Sequence, residues 1–168
     1  HDGSTWTMAL WLENTDVGQE AVLWSDATGA NTHANKLMVS GGGNDRWIGG
    51  VYDSGIWING YLGSNDLVEG EPYFLVFTFD PAESTDKYTM YKNGVEFGAI
   101  NQSTSQGSSS NSAIPLYLMS QAGANKFEGN IAEMTIWKRV LTDAEITSLY
   151  NSGSGKEINS DVWKEEGT

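Results

Sequence analysis

The chain contains no cysteine among its 168 residues. Disulfides, thiolate metal sites and cysteine nucleophiles are therefore excluded. Basic residues are scarce. Nine Lys and Arg stand against 22 Asp and Glu, a formal net charge of −13. A protein that neutralises phosphates needs a basic footprint, and none is visible, so nucleic acid is not an expected partner. Anionic membrane surfaces are disfavoured for the same reason. No apolar run approaches the roughly 20 residues that cross a bilayer, so membrane insertion is not expected either. There are 2 histidines, His1 and His33. Neither has a nucleophile or a metal-ligating partner at a recognisable spacing. Phosphate-cradling and dinucleotide fingerprints are absent, and Gly41-Gly42-Gly43 alone reads as a turn.

What the chain does contain is 20 Gly, 7 Trp and 7 Tyr, with only 3 Pro. Glycine and aromatics set among short apolar runs indicate strands joined by turns. The length suits one domain with a proper core. Residues 5–13 alternate with period two, which predicts a half-buried strand. Trp6, Met8, Leu10 and Leu12 fall on one face, and Thr5, Thr7 and Glu13 on the other with Trp11. Further strands are expected at 21–25, 36–40, 46–52, 56–62, 73–80, 87–92, 95–97, 114–120 and 131–138. So many short strands without intervening helices predict two packed antiparallel sheets.

The punctuation agrees. Lys92-Asn93-Gly94-Val95 is a hairpin signal, because Asn-Gly readily takes the positive φ angles of a type I′ turn. Residues 99–113 read as a long polar loop. One helix is expected. Thr142 and Glu145 form a capping box, Ile146, Leu149 and Tyr150 share a face, and Asn151 or Gly153 terminates it. Residues 152–168 read as a polar tail or linker after a domain at 1–151. The chain opens on His1 rather than Met, so it is expected to be a piece of a longer protein.

The run from Phe127 through Gly129, Ile131, Glu133, Ile136, Arg139 and Leu141 to Leu149-Tyr150-Asn151 resembles the C-terminal signature of laminin-G-like jelly-roll domains. In that family an F-x-G-x-I-D-E strand ending in R-x-L runs into a short helix closing on L-Y-N. Ala132 stands where the family often has Asp. Residues 5–13, 73–80 and 87–94 are similar to the family's early Trp-bearing strand, its W-H-x-V-x-T-x-D strand and its L-Y-x-N-G hairpin. The opening F-D-G-x-D-D-Y strand is represented only by His1-Asp2-Gly3. The resemblance implies an all-β, two-sheet antiparallel jelly-roll sandwich with one short C-terminal helix, in the concanavalin A-like lectin and glucanase superfamily.

Domains of this kind bind sugars, mediate adhesion or decorate particles, and fold alone does not choose among these roles. Laminarinase-type glucanases carry a Glu-x-Asp-x-x-Glu cluster on one strand. The nearest match, Glu128 to Glu133, has a spacing of five and no Asp between, so in a regular strand the carboxylates diverge. No catalytic residue is assigned.

A sugar site needs a flat aromatic for stacking and amide or carboxylate partners for the hydroxyls. Residues 46–61 supply both. With Ile56, Ile58 and Leu62 toward the core, Trp57, Asn59 and Tyr61 share the outer face, and Trp47, Tyr52 and Asp53 lie nearby in sequence. These six are the candidate ligand-binding residues. Calcium is a possible cofactor, with oxygen ligands at 26–35, at Asn44 and Asp45 and at 80–86, but no loop shows an assignable ligand pattern.

The expectation is a non-catalytic carbohydrate-binding or adhesion module at an extracellular, cell or virion surface. Its partner is then a glycan or surface polysaccharide. The alternative is a structural or decoration domain contacting neighbouring domains or subunits.

Overall fold

The computed structural model describes residues 5–15, 21–25, 34–40, 46–53, 56–62, 68–83, 88–100, 117–120 and 126–155, with 21–22, 24–25, 34–40, 46–53, 56–62 and 99–100 described through their backbone. The strands are β1 (Trp6–Asn14), β2 (Ala21–Ser25), β3 (Ala34–Ser40), β4 (Arg46–Asp53), β5 (Ile56–Leu62), β6 (Pro72–Phe79), β7 (Tyr88–Lys92), β8 (Val95–Ile100), β9 (Tyr117–Leu118) and β10 (Gly129–Trp137). One helix, α1 (Asp143–Tyr150), follows, closed by a short 3-10 turn at Asn151–Gly153. Two five-stranded antiparallel sheets result, ordered β10-β1-β6-β7-β8 and β5-β4-β3-β2-β9. This is the expected jelly-roll sandwich. Each expected strand is present, with ends displaced by a few residues. β8 runs on through Ile100, so the polar segment begins later than its composition suggested, and its remainder lies outside the described residues. So do His1, His33 and residues 156–168.

The main core fills the space between the sheets. Trp6, Met8, Leu10 and Leu12 of β1 pack with Leu75, Phe77 and Phe79 of β6, with Met90 of β7 and with Leu23 of β2 in the other sheet. Burial of such apolar side chains is the dominant favourable term in folding.

The expectation of a half-buried β1 needs correction, because both of its faces are covered. Thr7 and Ala9, assigned by alternation to the solvent side or left off the core, are 0% and 2% exposed. The cover comes from the far end of the chain. Ala9, Phe74 and Val76 form a second cluster with Trp137, Leu141 and Ile146, against which Trp11, Leu149 and Tyr150 pack. A buried hydroxyl needs partners, and Thr7 Oγ1 has two. It donates to the Arg139 carbonyl at 2.8 Å and accepts from the Leu141 amide at 3.0 Å.

Helix α1 starts where its sequence says it should. Thr142 Oγ1 accepts from the Glu145 amide at 3.3 Å, and Glu145 Oε2 accepts from the Thr142 amide at 2.8 Å, so two otherwise unpaired donors are satisfied reciprocally. Arg139 grips the same carboxylate with two nitrogens, at 2.9 and 2.6 Å. Asn151, at φ 48°, ends the helix in the left-handed conformation.

Tyr150 then lies over Phe74 and Trp11, with ring centroids 6.2 and 6.0 Å away. It also covers the β7–β8 hairpin, where a Cβ on Gly94 would stand 3.1 Å from Tyr150 Cδ1. Asn93 and Gly94 have φ of 53° and 80°, as the turn requires. The terminal Leu-Tyr-Asn of the signature and the hairpin Asn-Gly are thus two halves of one contact.

Gly129 has an equally local cause. A Cβ there would sit 2.0 Å from the Glu13 carbonyl oxygen and 2.7 Å from Phe127 Cε1. The Phe-x-Gly pattern reflects a phenylalanine ring folded against a strand that tolerates no side chain two residues on.

Candidate functional site

The six candidate residues lie on β4 and β5, neighbours at one end of the second sheet. β5 is its edge strand, so this pair is bordered by only one further strand, β3. In antiparallel pairs, directly opposed residues share a face. The register opposes Tyr52 to Trp57, Gly50 to Asn59 and Ile48 to Tyr61. Trp57, Asn59, Tyr61 and Tyr52 therefore belong to one face. Trp47 opposes Leu62 and Asp53 opposes Ile56, which places both on the other face with Ile58 and Val51. The register thus brings together four of the six and separates two.

The next strand extends both sets. Lys36 opposes Gly50, Met38 opposes Ile48 and Ser40 opposes Arg46, while Leu37 opposes Gly49 and Val39 opposes Trp47. One set is Asn35, Leu37, Val39, Trp47, Val51, Asp53, Ile56, Ile58 and Leu62. The other carries Lys36, Ser40, Arg46, Tyr52, Trp57, Asn59 and Tyr61, together with Ala34, Met38 and Ile48. A sandwich sheet buries one face and wets the other, and the two sets differ in polarity. Sequence proximity had found the aromatics and the amide. It missed Lys36 and Gly50, whose place beside Asn59 depends on pairing between segments far apart in the chain.

The other expected chemistry is answered by geometry. Among the described residues no group of three His, Asp or Glu is arranged to hold a metal ion. Asp80, one of the suggested calcium ligands, spends Oδ1 on the Ala82 amide at 2.9 Å, within its own turn. The remaining calcium candidates, residues 26–33, Asn44, Asp45 and 84–86, lie outside the described residues.

The strand carrying Glu133 is not regular, so the alternation argument about Glu128 and Glu133 does not hold in the form given. The β1–β10 register shifts between Ala9 and Trp11, and Glu133 has φ 50°, a bulge with an extra residue. Glu128 precedes the strand, and its carbonyl accepts from the Thr15 amide at 3.0 Å.

Ionic perturbation is concentrated at α1 instead. The Arg139 guanidinium holds the Glu145 carboxyl down at about 2. Burial, then the hydrogen bond to Asp143 at 2.9 Å, pushes the Tyr91 phenol up. A shallow groove of about 270 Å³ beside this helix is walled by Trp137, Leu141 and Leu149 and by the Arg139–Glu145 pair. These groups fasten the helix to the sheet.

The two-sheet sandwich, with its helix sealing one outer face, is the architecture of the concanavalin A-like lectins and glucanases. A laminin-G-like family model of the concanavalin A-like lectin/glucanases superfamily matches residues 1–147, and the chain belongs to this family. No curated protein sequence matches it significantly.

Among solved structures, it is similar to the CBM40 domain of the Ruminococcus gnavus IT-sialidase, at TM-score 0.67 and 17% identity over 89% of this chain and 84% of that one. The same domain bound to α2,3-sialyllactose gives 0.66 and 17% over 88% and 83%. A heptameric SAP-like pentraxin from Limulus polyphemus matches at 0.59 and 11%, over 88% and 70%. The NanB sialidase of Streptococcus pneumoniae matches at 0.69 and 18%, over 86% of this chain but only 24% of the enzyme.

Proposed function

We propose that this domain is a non-catalytic glycan-binding module, occupying roughly residues 1–151 of a larger protein at an extracellular or particle surface. The observation that carries the reading is the register of β4 and β5, which gathers Trp57, Tyr52, Tyr61 and Asn59 on the more polar face of the second sheet. A pyranose presents apolar C–H faces and a rim of hydroxyls. Flat rings stack on the first, and an amide with one acceptor and two donors serves the second. A sheet holds such groups at fixed spacing, so little ordering cost accompanies binding. The fold is shared with a sugar-binding domain seen with α2,3- and α2,6-sialyllactose, which supports the same reading.

A glycan array run with and without calcium tests it. Binding to a defined set of glycans is expected, with the same pattern in a chelator. Failure to bind any glycan in either condition would remove the proposal. One observation favours a second reading, a protein-contact domain. Ile136, on the edge strand β10, is 45% exposed, and an apolar edge residue suits a neighbouring subunit.

A further inference from the structure

The outer face of the first sheet, beyond the C-terminal end of α1, brings together polar groups from three separate segments. Trp11 of β1 and Ala132 of β10 oppose one another there. Phe74 and Tyr150 lie against Trp11, with ring centroids 5.4 and 6.0 Å away, and leave it half-buried, while Ala132 beside it is exposed. In the next row of the same face, Asn130 Nδ2 donates to Glu13 Oε2 at 3.0 Å.

The flank of the indole is built by the other two segments. The bulge in β10 sets Glu133 at φ 50°, and a bulge re-aims the side chain it carries. The chain that leaves α1 folds back against the same ring. Its Gly155 amide donates to the Tyr150 carbonyl at 3.2 Å, and Asn151 Nδ2 donates to the Gly155 carbonyl at 2.8 Å. Gly155 has φ +64°, and a Cβ on it would stand 3.3 Å from Trp11 Nε1 and 3.4 Å from Glu133 Oε2. The missing side chain therefore leaves a notch faced by one donor and one acceptor. Among the described residues, no hydrogen bond to another protein group engages either atom.

The pair restricts what can fill the notch. An indole N–H only donates and a carboxylate only accepts. An ammonium cannot accept from Trp11, and an acid group would meet the charges of Glu133 and Glu13. A hydroxyl accepts from the first and donates to the second. We propose that this is a second carbohydrate site, taking a neutral sugar with one hydroxyl in the Gly155 notch, its ring over Ala132 and further hydroxyls toward Asn130. It lies on the opposite sheet from the β4–β5 face and does not depend on that reading. Its donors and acceptors are held by a paired strand and a hydrogen-bonded turn, so little ordering accompanies binding. Two sites on opposite sheets would let one domain bridge two saccharide chains.

The test follows the Trp11 indole N–H signal by NMR in the isotope-labelled domain, the signal being identified by its loss in Trp11→Phe. Lactose, maltotriose and chitotriose are the neutral probes and sialyllactose the acidic one. At least one neutral probe is expected to shift the signal, saturably, and sialyllactose is expected not to. Glu133→Ala removes the acceptor without adding an atom and should weaken the neutral sugar about tenfold, as loss of a hydrogen bond to a charged group does. Gly155→Ala fills the notch and should abolish the shift. Trp57→Ala should leave it intact. A Trp11 signal unmoved by every neutral probe would mean a notch that holds water only and would overturn the site, whatever binds at the β4–β5 face. A shift that survives in folded Gly155→Ala or Glu133→Ala would overturn the notch, and one lost in Trp57→Ala would belong to the other face. An equal response to sialyllactose would overturn the neutral assignment.

Discussion

Replacing Gly129 by alanine measures how tightly the β1–β10 junction is closed. Two costs combine. Gly129 has φ +155°, a conformation that residues with a side chain rarely adopt, and the new Cβ would stand 2.0 Å from the backbone oxygen of Glu13. The first cost is about 1–3 kcal/mol of backbone strain. The second cannot be relieved by a rotamer change, because the atom struck is backbone within a paired strand: Asn14 opposes Gly129 and the Thr15 amide bonds the Glu128 carbonyl. Forcing the strands apart costs a further ~1–3 kcal/mol. A total near 4 kcal/mol lowers the melting temperature by roughly 8–16 °C in a domain of this size.

Gly70 supplies the control. It has φ +77° with nothing within 4 Å of its Cβ position, so Gly70→Ala carries strain alone, about 1 kcal/mol and a few degrees. Differential scanning calorimetry on the two variants separates the effects. Equal shifts, or a Gly129→Ala protein that melts within about 3 °C of wild type, would refute the close-approach argument.

Three other perturbations follow from the seat of α1. Thr142→Ala removes the cap and should cost about 1 kcal/mol, read by urea denaturation. Tyr91→Phe removes the hydrogen bond to Asp143 from a side chain only 7% exposed and should cost about 1 kcal/mol. The Glu145 carboxyl, held down from 4.5 to about 2, adds stability that is fully present above pH 4.5 and is lost as the pH falls through 2. Because its side chain is 39% exposed, solvent screening reduces this to about 1 kcal/mol. Acid titration of wild type against Glu145→Gln should show that difference closing between pH 4.5 and 2; a gap that persists at pH 2 contradicts the ion-pair account.

Most of the fold was legible because its signals are local. Alternation marks β1 and β5, Asn93-Gly94 needs only its own φ angles, and Thr142 with Glu145 is complete within four residues. What could not be read was contact between distant segments. Thr7 looks polar and solvent-facing until the 137–141 segment is laid across it, and nothing near Thr7 announces that cover. The bulge at Glu133 arises from pairing with β1 and leaves no mark in the composition of β10.

The candidate site divides the same way. Trp57, Asn59 and Tyr61 were visible as one strand face. That Tyr52 joins them, while Trp47 and Asp53 lie opposite, follows only from the β4–β5 register. Lys36 joins the same set only through the further pairing of β3 with β4.

The central claim is that this face binds a glycan, and Trp57→Ala tests it most directly. The glycan that binds best on the array is titrated calorimetrically into wild type and variant, and both proteins are melted under the same conditions. Loss of a stacking ring is worth on the order of 2 kcal/mol, so affinity should fall about 30-fold with the melting temperature within a degree or two of wild type. A core tryptophan behaves otherwise, since its truncation costs roughly 3–5 kcal/mol of folding stability. A steep fall in melting temperature, or full affinity in a folded variant, would contradict the account.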